Sequence, residues 1–253
     1  MLKSAQVMLL VGFVALSGCA RAPVAPSNPS SISPSSPSPI ASPSPSAAVP
    51  PATNATPEAI AQSATRQADT VIIPGKSFGP VTTDTTRDDL AALYGADKLT
   101  DTNVDIGEGF TEPGTTVNAG SDRAFSVIWT DASRTKIDSI HDVGPAWRTP
   151  EGFGMGTTFA ELQAKLGKFE IYGFGWDYSG TITFEGSNLS QYDGVLVLRL
   201  EPPQDVIEKE RAAYEAVTGD APFSSDNPSF AKLNPAVYDI IVYLTPPPAP
   251  SEP

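Results

Sequence analysis

The chain has 253 residues, with 16 Lys and Arg against 29 Asp and Glu, a formal net charge of −13 at pH 7, one cysteine and one histidine. So acidic a chain argues against nucleic acid as a partner and predicts repulsion from anionic headgroups wherever nothing holds the chain to them. The single cysteine excludes disulfide staples and thiolate metal sites, and any Ser-His or Cys-His catalytic arrangement has to use His141.

In chain order, Lys3 precedes an apolar run from Val7 to Leu16 that is too short to span a bilayer, and small residues follow. This is the pattern of an export signal over residues 1–18. Leu16-Ser17-Gly18-Cys19 resembles a bacterial lipobox. The resemblance implies cleavage before Cys19 and lipidation of its thiol, whereas an ordinary secretory peptide would leave that cysteine incidental. Two or three acyl chains anchor firmly where one does not, so the expected membrane attachment is through lipid on Cys19, with no transmembrane helix. In a host with an outer membrane, Ala20 after the cysteine, in place of aspartate, points to outer-membrane delivery. Residues 19–67 are mostly Pro, Ser and Ala without an aromatic anchor, which predicts a disordered tether of roughly 40 Å root-mean-square span. A globular domain is expected over 68–246, followed by a disordered tail over 247–253.

An internal repeat organises that domain. Thr85 to Gly95 aligns without gaps on Thr157 to Gly167, sharing the pattern Thr-Thr-x-x-acid-Leu-x-Ala-x-x-Gly. Thr86 with Asp89, and Thr158 with Glu161, have capping-box spacing, Glu161 fitting the better of the two. Leu90, Leu93 and Tyr94, and likewise Phe159, Leu162 and Leu166, form helical apolar stripes, and Gly95 and Gly167 are placed to end the helices in a left-handed conformation. Strand signals follow each helix. Phe125, Val127 and Trp129 alternate with Ser126 and Ile128, then a turn at Asp131-Ala132-Ser133 leads to Lys136–Val143. After the second helix, Glu170–Phe174, Thr181–Glu185 and Val195–Leu200 read as strands. A third helix is predicted from Pro202-Pro203 to Gly219, then a loop of Gly, Asp, Ser and Pro. A nearly continuous apolar run from Val237 to Leu244 suits a central strand. The expected class is α+β: two tandem helix-plus-antiparallel-meander units, about 70–144 and 145–245, helices on one face of the sheet, and a C-terminal helix and strand.

Two such units in an exported chain resemble the architecture of beta-lactamase inhibitory proteins and, per unit, the small outer-membrane assembly lipoproteins of the BamE/SmpA type. Trp147, Gly152 to Thr158, Gly173 to Gly180 and Asn234-Pro235 look like a family of bacterial envelope proteins to which no activity is attached. That likeness implies one continuous domain and nominates no catalytic residue.

Three sets of residues invite a chemical reading. Asp101, Asn103, Asp105 and Glu112 have the oxygen-ligand spacing of a calcium loop, but Ile106 stands where the turn glycine belongs, and Val104 with Ile106 equally reads as one side of a strand. Phe174, Trp176 and Tyr178 alternate, so in an extended segment their rings would share one face, with Asp177 directed away. Such a face stacks on a sugar ring, or the rings pack beneath the second helix. His141 has Asp142 on the opposite side of a strand, which leaves no preassembled dyad. No nucleotide-binding glycine loop and no paired-carboxylate arrangement is evident, and no cofactor is expected. The expected role is therefore non-enzymatic: a lipid-anchored envelope protein facing the periplasm or the cell exterior and binding a protein partner, or alternatively a glycan such as peptidoglycan through Phe174, Trp176 and Tyr178.

Overall fold

A computed structural model describes residues 69–245 with Glu108 excepted. The export signal, Cys19, the tether and the 247–253 tail lie outside these residues. The α+β class is as expected from the sequence.

The chain begins with a small hairpin, β1 (Ile72–Ile73) and β2 (Ser77–Phe78), followed by α1 (Arg87–Tyr94). A meander of β3 (Leu99–Gly107), β4 (Phe110–Val117), β5 (Phe125–Trp129) and β6 (Ile137–His141) follows. After α2 (Phe159–Leu166) come β7 (Glu170–Tyr172), β8 (Ile182–Thr183) and β9 (Leu196–Glu201). Two short helices, α3 (Gln204–Lys209) and α4 (Arg211–Glu215), lead to β10 (Pro222–Ser224), α5 (Pro228–Leu233) and β11 (Ala236–Tyr243). The main antiparallel sheet has the order β3-β4-β5-β6-β11-β9, and a smaller one has the order β10-β7-β8. The apolar strand β11 is central, as its composition suggested.

Both capping boxes form. Glu161 N–H donates to Thr158 Oγ1 at 3.3 Å, and Thr158 N–H donates back to Glu161 Oε2 at 2.8 Å. Thr86 and Asp89 do the same at 3.1 and 3.0 Å. Hydrogen bonds from Thr86 and Thr158 hold the Asp89 and Glu161 carboxyls below their usual range. Gly95 and Gly167 both take positive φ, 97° and 71°, yet their ψ values of 133° and −125° fall outside the left-handed helical basin. The expected left-handed helical stop is corrected in that detail: the chain leaves each helix in a more extended path.

The second unit differs from the first. Its strand β7 pairs with both β8 and β10 in the small sheet, while β9 joins β11. One bridge, Thr181 to Arg199, links the two sheets, supported by Leu200 N–H donating to the Gly180 carbonyl at 2.9 Å. The predicted third helix is broken at Glu210, whose φ of −107° and ψ of 37° are not helical. Three and four residues beyond Val206 stand Lys209 and Glu210, so no apolar side chain pins the middle of the run to the core, and after Pro202 only Ala213 and Val217 are buried. The expected loop after Gly219 instead contains β10 and α5. Asn227 caps α5 by accepting from Ser229 N–H at 3.0 Å, with Pro228 in the first turn, and Phe230 and Leu233 are buried.

Register separates the two faces of the main sheet. Val117 opposes Phe125, Val127 opposes Ile140, Ile140 opposes Val242, and Val242 opposes Leu196. This row belongs to one core with Leu90 and Tyr94 of α1, Leu162 of α2 and Phe230 of α5. Phe78 stacks on Trp147 with centroids 3.8 Å apart, and Phe125 meets both. The helices thus cover one face, and the intervening residues look the other way.

Candidate functional site: a groove on the helix-free face of the sheet

Ser126 opposes His141, Ile128 opposes Ser139, Ser139 opposes Tyr243, and Ile241 opposes Val197. Strand alternation places all of them on the face away from the helices. Ile128 and Ile241 are buried there without belonging to the helix-covered core.

This face floors a groove of about 590 Å³. Its lining joins Ile106 of β3 and Glu112 of β4 to Val197 and Arg199 of β9, from opposite ends of the strand order, so the sheet curls over its own face. Gly114 allows a close approach within this sheet: a Cβ there would lie 2.5 Å from both Val104 Cγ2 and the Val127 carbonyl oxygen. Tyr178 and Thr181, just before β8, form another wall. An adjoining cavity of about 230 Å³ shares Ile106, His141, Arg199 and Ile241 and adds Asp105, Asp142 and Asp239.

At the floor, Ser139 Oγ lies 3.0 Å from His141 Nε2, and the two residues are 2% and 8% exposed. Reading His141 against Asp142 alone misses this pair. The signal was present, because residues two apart on a strand share a face. Burial lowers the His141 imidazole below its ordinary range despite the opposing pull of Asp239, Asp142 and Asp138, so the ring is neutral near pH 7. A neutral histidine at this distance from a hydroxyl has nucleophile-base geometry, but no third group among the described residues bonds and orients the ring. The pair forms a polar part of the groove floor. Arg199 Nη1 lies 3.6 Å from Asp239 Oδ2.

The residues singled out from sequence divide. Phe174, Trp176 and Tyr178 do not share a face. Phe174 is 1% exposed, stacks on Tyr214 of α4 at 5.6 Å and meets Phe230 of α5 edge-on at 6.0 Å. Trp176 is 57% and Tyr178 59% exposed. The reason is that the segment turns instead of extending: Ser179 N–H donates to the Trp176 carbonyl and Thr181 N–H to that of Tyr178. The three-ring platform is therefore corrected to two exposed rings beside an exposed Asp177, with only Tyr178 reaching the groove, 5.4 Å from Tyr172.

The calcium-like spacing also resolves into a strand. Asp101, Asn103 and Asp105 alternate along β3, while Glu112 opposes Val104 and so lies on the other face. Asp101 is engaged by Arg87 at 3.0 Å, Arg134 at 2.6 Å and Thr115 at 2.8 Å. Burial of Val104 and pairing with β4 hold the segment extended, so these oxygens do not converge. Among the described residues no cluster of three or more His, Cys, Asp or Glu side chains is arranged for a metal ion. None of the helices among them is long and apolar enough to cross a membrane.

The fold and groove define an α+β domain with a ligand-sized recess on its uncovered sheet face. Comparison of the chain with protein-family models, curated proteins and solved structures gives no match.

Proposed function

We propose that this is a non-enzymatic, lipid-anchored protein of the bacterial cell envelope, held at the membrane through Cys19 and facing the periplasm or the cell exterior, whose domain binds another protein. The observation carrying the binding role is the groove: about 590 Å³, concave, with buried polar groups at its floor and the exposed Tyr178 ring on its wall. A recess of this size is in the range of pockets that take a small ligand, and so has room for a side chain of a partner protein. The lipobox and the Pro/Ser-rich stretch motivate the anchor and the reach.

The test is capture by the full chain, in detergent, of solubilised envelope proteins and of cell-wall fragments. A protein captured by the wild type and lost with Tyr178→Ala supports the reading, and capture unchanged by groove substitutions refutes it. Exposure of Trp176 beside Tyr178 favours one second reading, a glycan-binding module, in which aromatic rings stack on sugars. Cell-wall retention abolished by Trp176→Ala would establish that reading instead.

A further inference from the structure

We infer that the groove seats a lysine or arginine side chain of the partner protein. This rests on the protein-binding reading proposed above.

The first observation is charge. Glu112 and Asp138 line the larger recess, and Asp105, Asp142 and Asp239 the adjoining one, against the single guanidinium of Arg199, which already faces Asp239 at 3.6 Å. A concave, low-dielectric wall of one sign concentrates the opposite charge. An anionic ligand would meet net repulsion, whereas a cation from the partner would be drawn in.

The second observation is independent of those acids. His141 is 8% exposed and lines both recesses, and its side chain makes its only hydrogen bond among the described residues through Nε2 to Ser139. In the tautomer that donates Nε2–H to Ser139 Oγ, Nδ1 is an acceptor, suited to an N–H of an ammonium or guanidinium. Burial of the ring keeps it neutral and therefore able to accept. Aromatic surface adds to the attraction, since the exposed Tyr178 ring lines the wall, and aromatic rings attract cations.

The experiment is calorimetric titration of the full chain with hexaarginine, with hexaglutamate and with a soluble cell-wall disaccharide-peptide. Hexaarginine should bind. Glu112→Gln combined with Asp138→Asn should weaken it about tenfold, and Tyr178→Ala several-fold, while Asp205→Asn with Glu208→Gln on α3 should not change it. Equal weakening by the groove and α3 pairs would show general attraction to an acidic protein and overturn the inference. Tyr178→Ala, at an exposed position, keeps the test informative if the double variant fails to fold. Preferred binding of hexaglutamate would overturn the charge argument while leaving a binding groove in place. Binding of the cell-wall fragment alone would replace the protein-binding reading with the glycan one.

Discussion

Arg134 Nη1 lies 2.6 Å from Asp101 Oδ2, a contact between residues 33 positions apart that ties the β5–β6 turn to the edge strand β3. Arg87 at the start of α1 reaches the same carboxylate at 3.0 Å, and its backbone N–H donates to the Arg134 carbonyl, also at 3.0 Å. Thr115 donates to Asp101 and accepts from Trp129 Nε1 at 3.0 Å. Asp101 is thus the outer end of a chain of hydrogen bonds that terminates on a core tryptophan.

Replacing Asp101 with Ala should destabilise the domain by about 1–2 kcal/mol, discounted because the three charged side chains are each about a third exposed. Partial burial opposes ionisation of Asp101, but hydrogen bonds from Arg87, Thr115 and Arg134 outweigh it and hold the carboxyl below its usual range. Its contribution is therefore present above about pH 4, the unfolded value, and is lost as pH falls through the folded one. Urea denaturation at pH 7 and pH 3 should show the wild-type advantage over Asp101→Ala shrinking at the lower pH.

His141 also loses stability as pH falls, but for a different reason and in a separate window. Its folded-state affinity for a proton is lowered, chiefly by burial, with Asp239, Asp142 and Asp138 opposing and Arg199 assisting. The unfolded chain takes up a proton as pH drops below about 6.5 while the folded one resists, so stability declines from there toward the folded pKa, with a slope of at most ~1.4 kcal/mol per pH unit. His141→Gln should flatten the denaturation midpoint between pH 7 and pH 5. An unchanged slope would show that the ring is not shielded as described.

Phe174 and Trp176 should behave oppositely despite their near-adjacent positions. Phe174→Ala removes a ring packed between α4 and α5 and should cost about 3–5 kcal/mol. Trp176→Ala at an exposed turn should stay within about 0.5 kcal/mol in thermal unfolding. A large loss at Trp176 would contradict the solvent-facing ring.

Gly180→Ala should disrupt the junction between the two sheets. Gly180 has φ 67°, and an added Cβ would overlap the Leu200 carbonyl oxygen. A cost of about 2 kcal/mol or more is expected. Faster hydrogen exchange at the Thr181 and Leu200 amides than at those of β5 would locate the damage.

The sequence alone established the features that depend on near neighbours. The two capping boxes, the apolar stripes of α1 and α2 and the central, apolar β11 all follow from spacing within a few residues, because caps and helical or strand periodicity are local. The Asn227-Pro228 start of α5 was equally local, but it lay within a stretch whose composition suggested a loop. Tertiary structure decided what depends on distant partners. It placed Phe174 in the core while Trp176 stayed in solvent, because burial depends on what α4 and α5 bring to that position. It also turned Asp101 from a calcium-like ligand into an acceptor for two arginines. Above all, it made the groove, in which Ile106 and Arg199, 93 positions apart by number, line one recess.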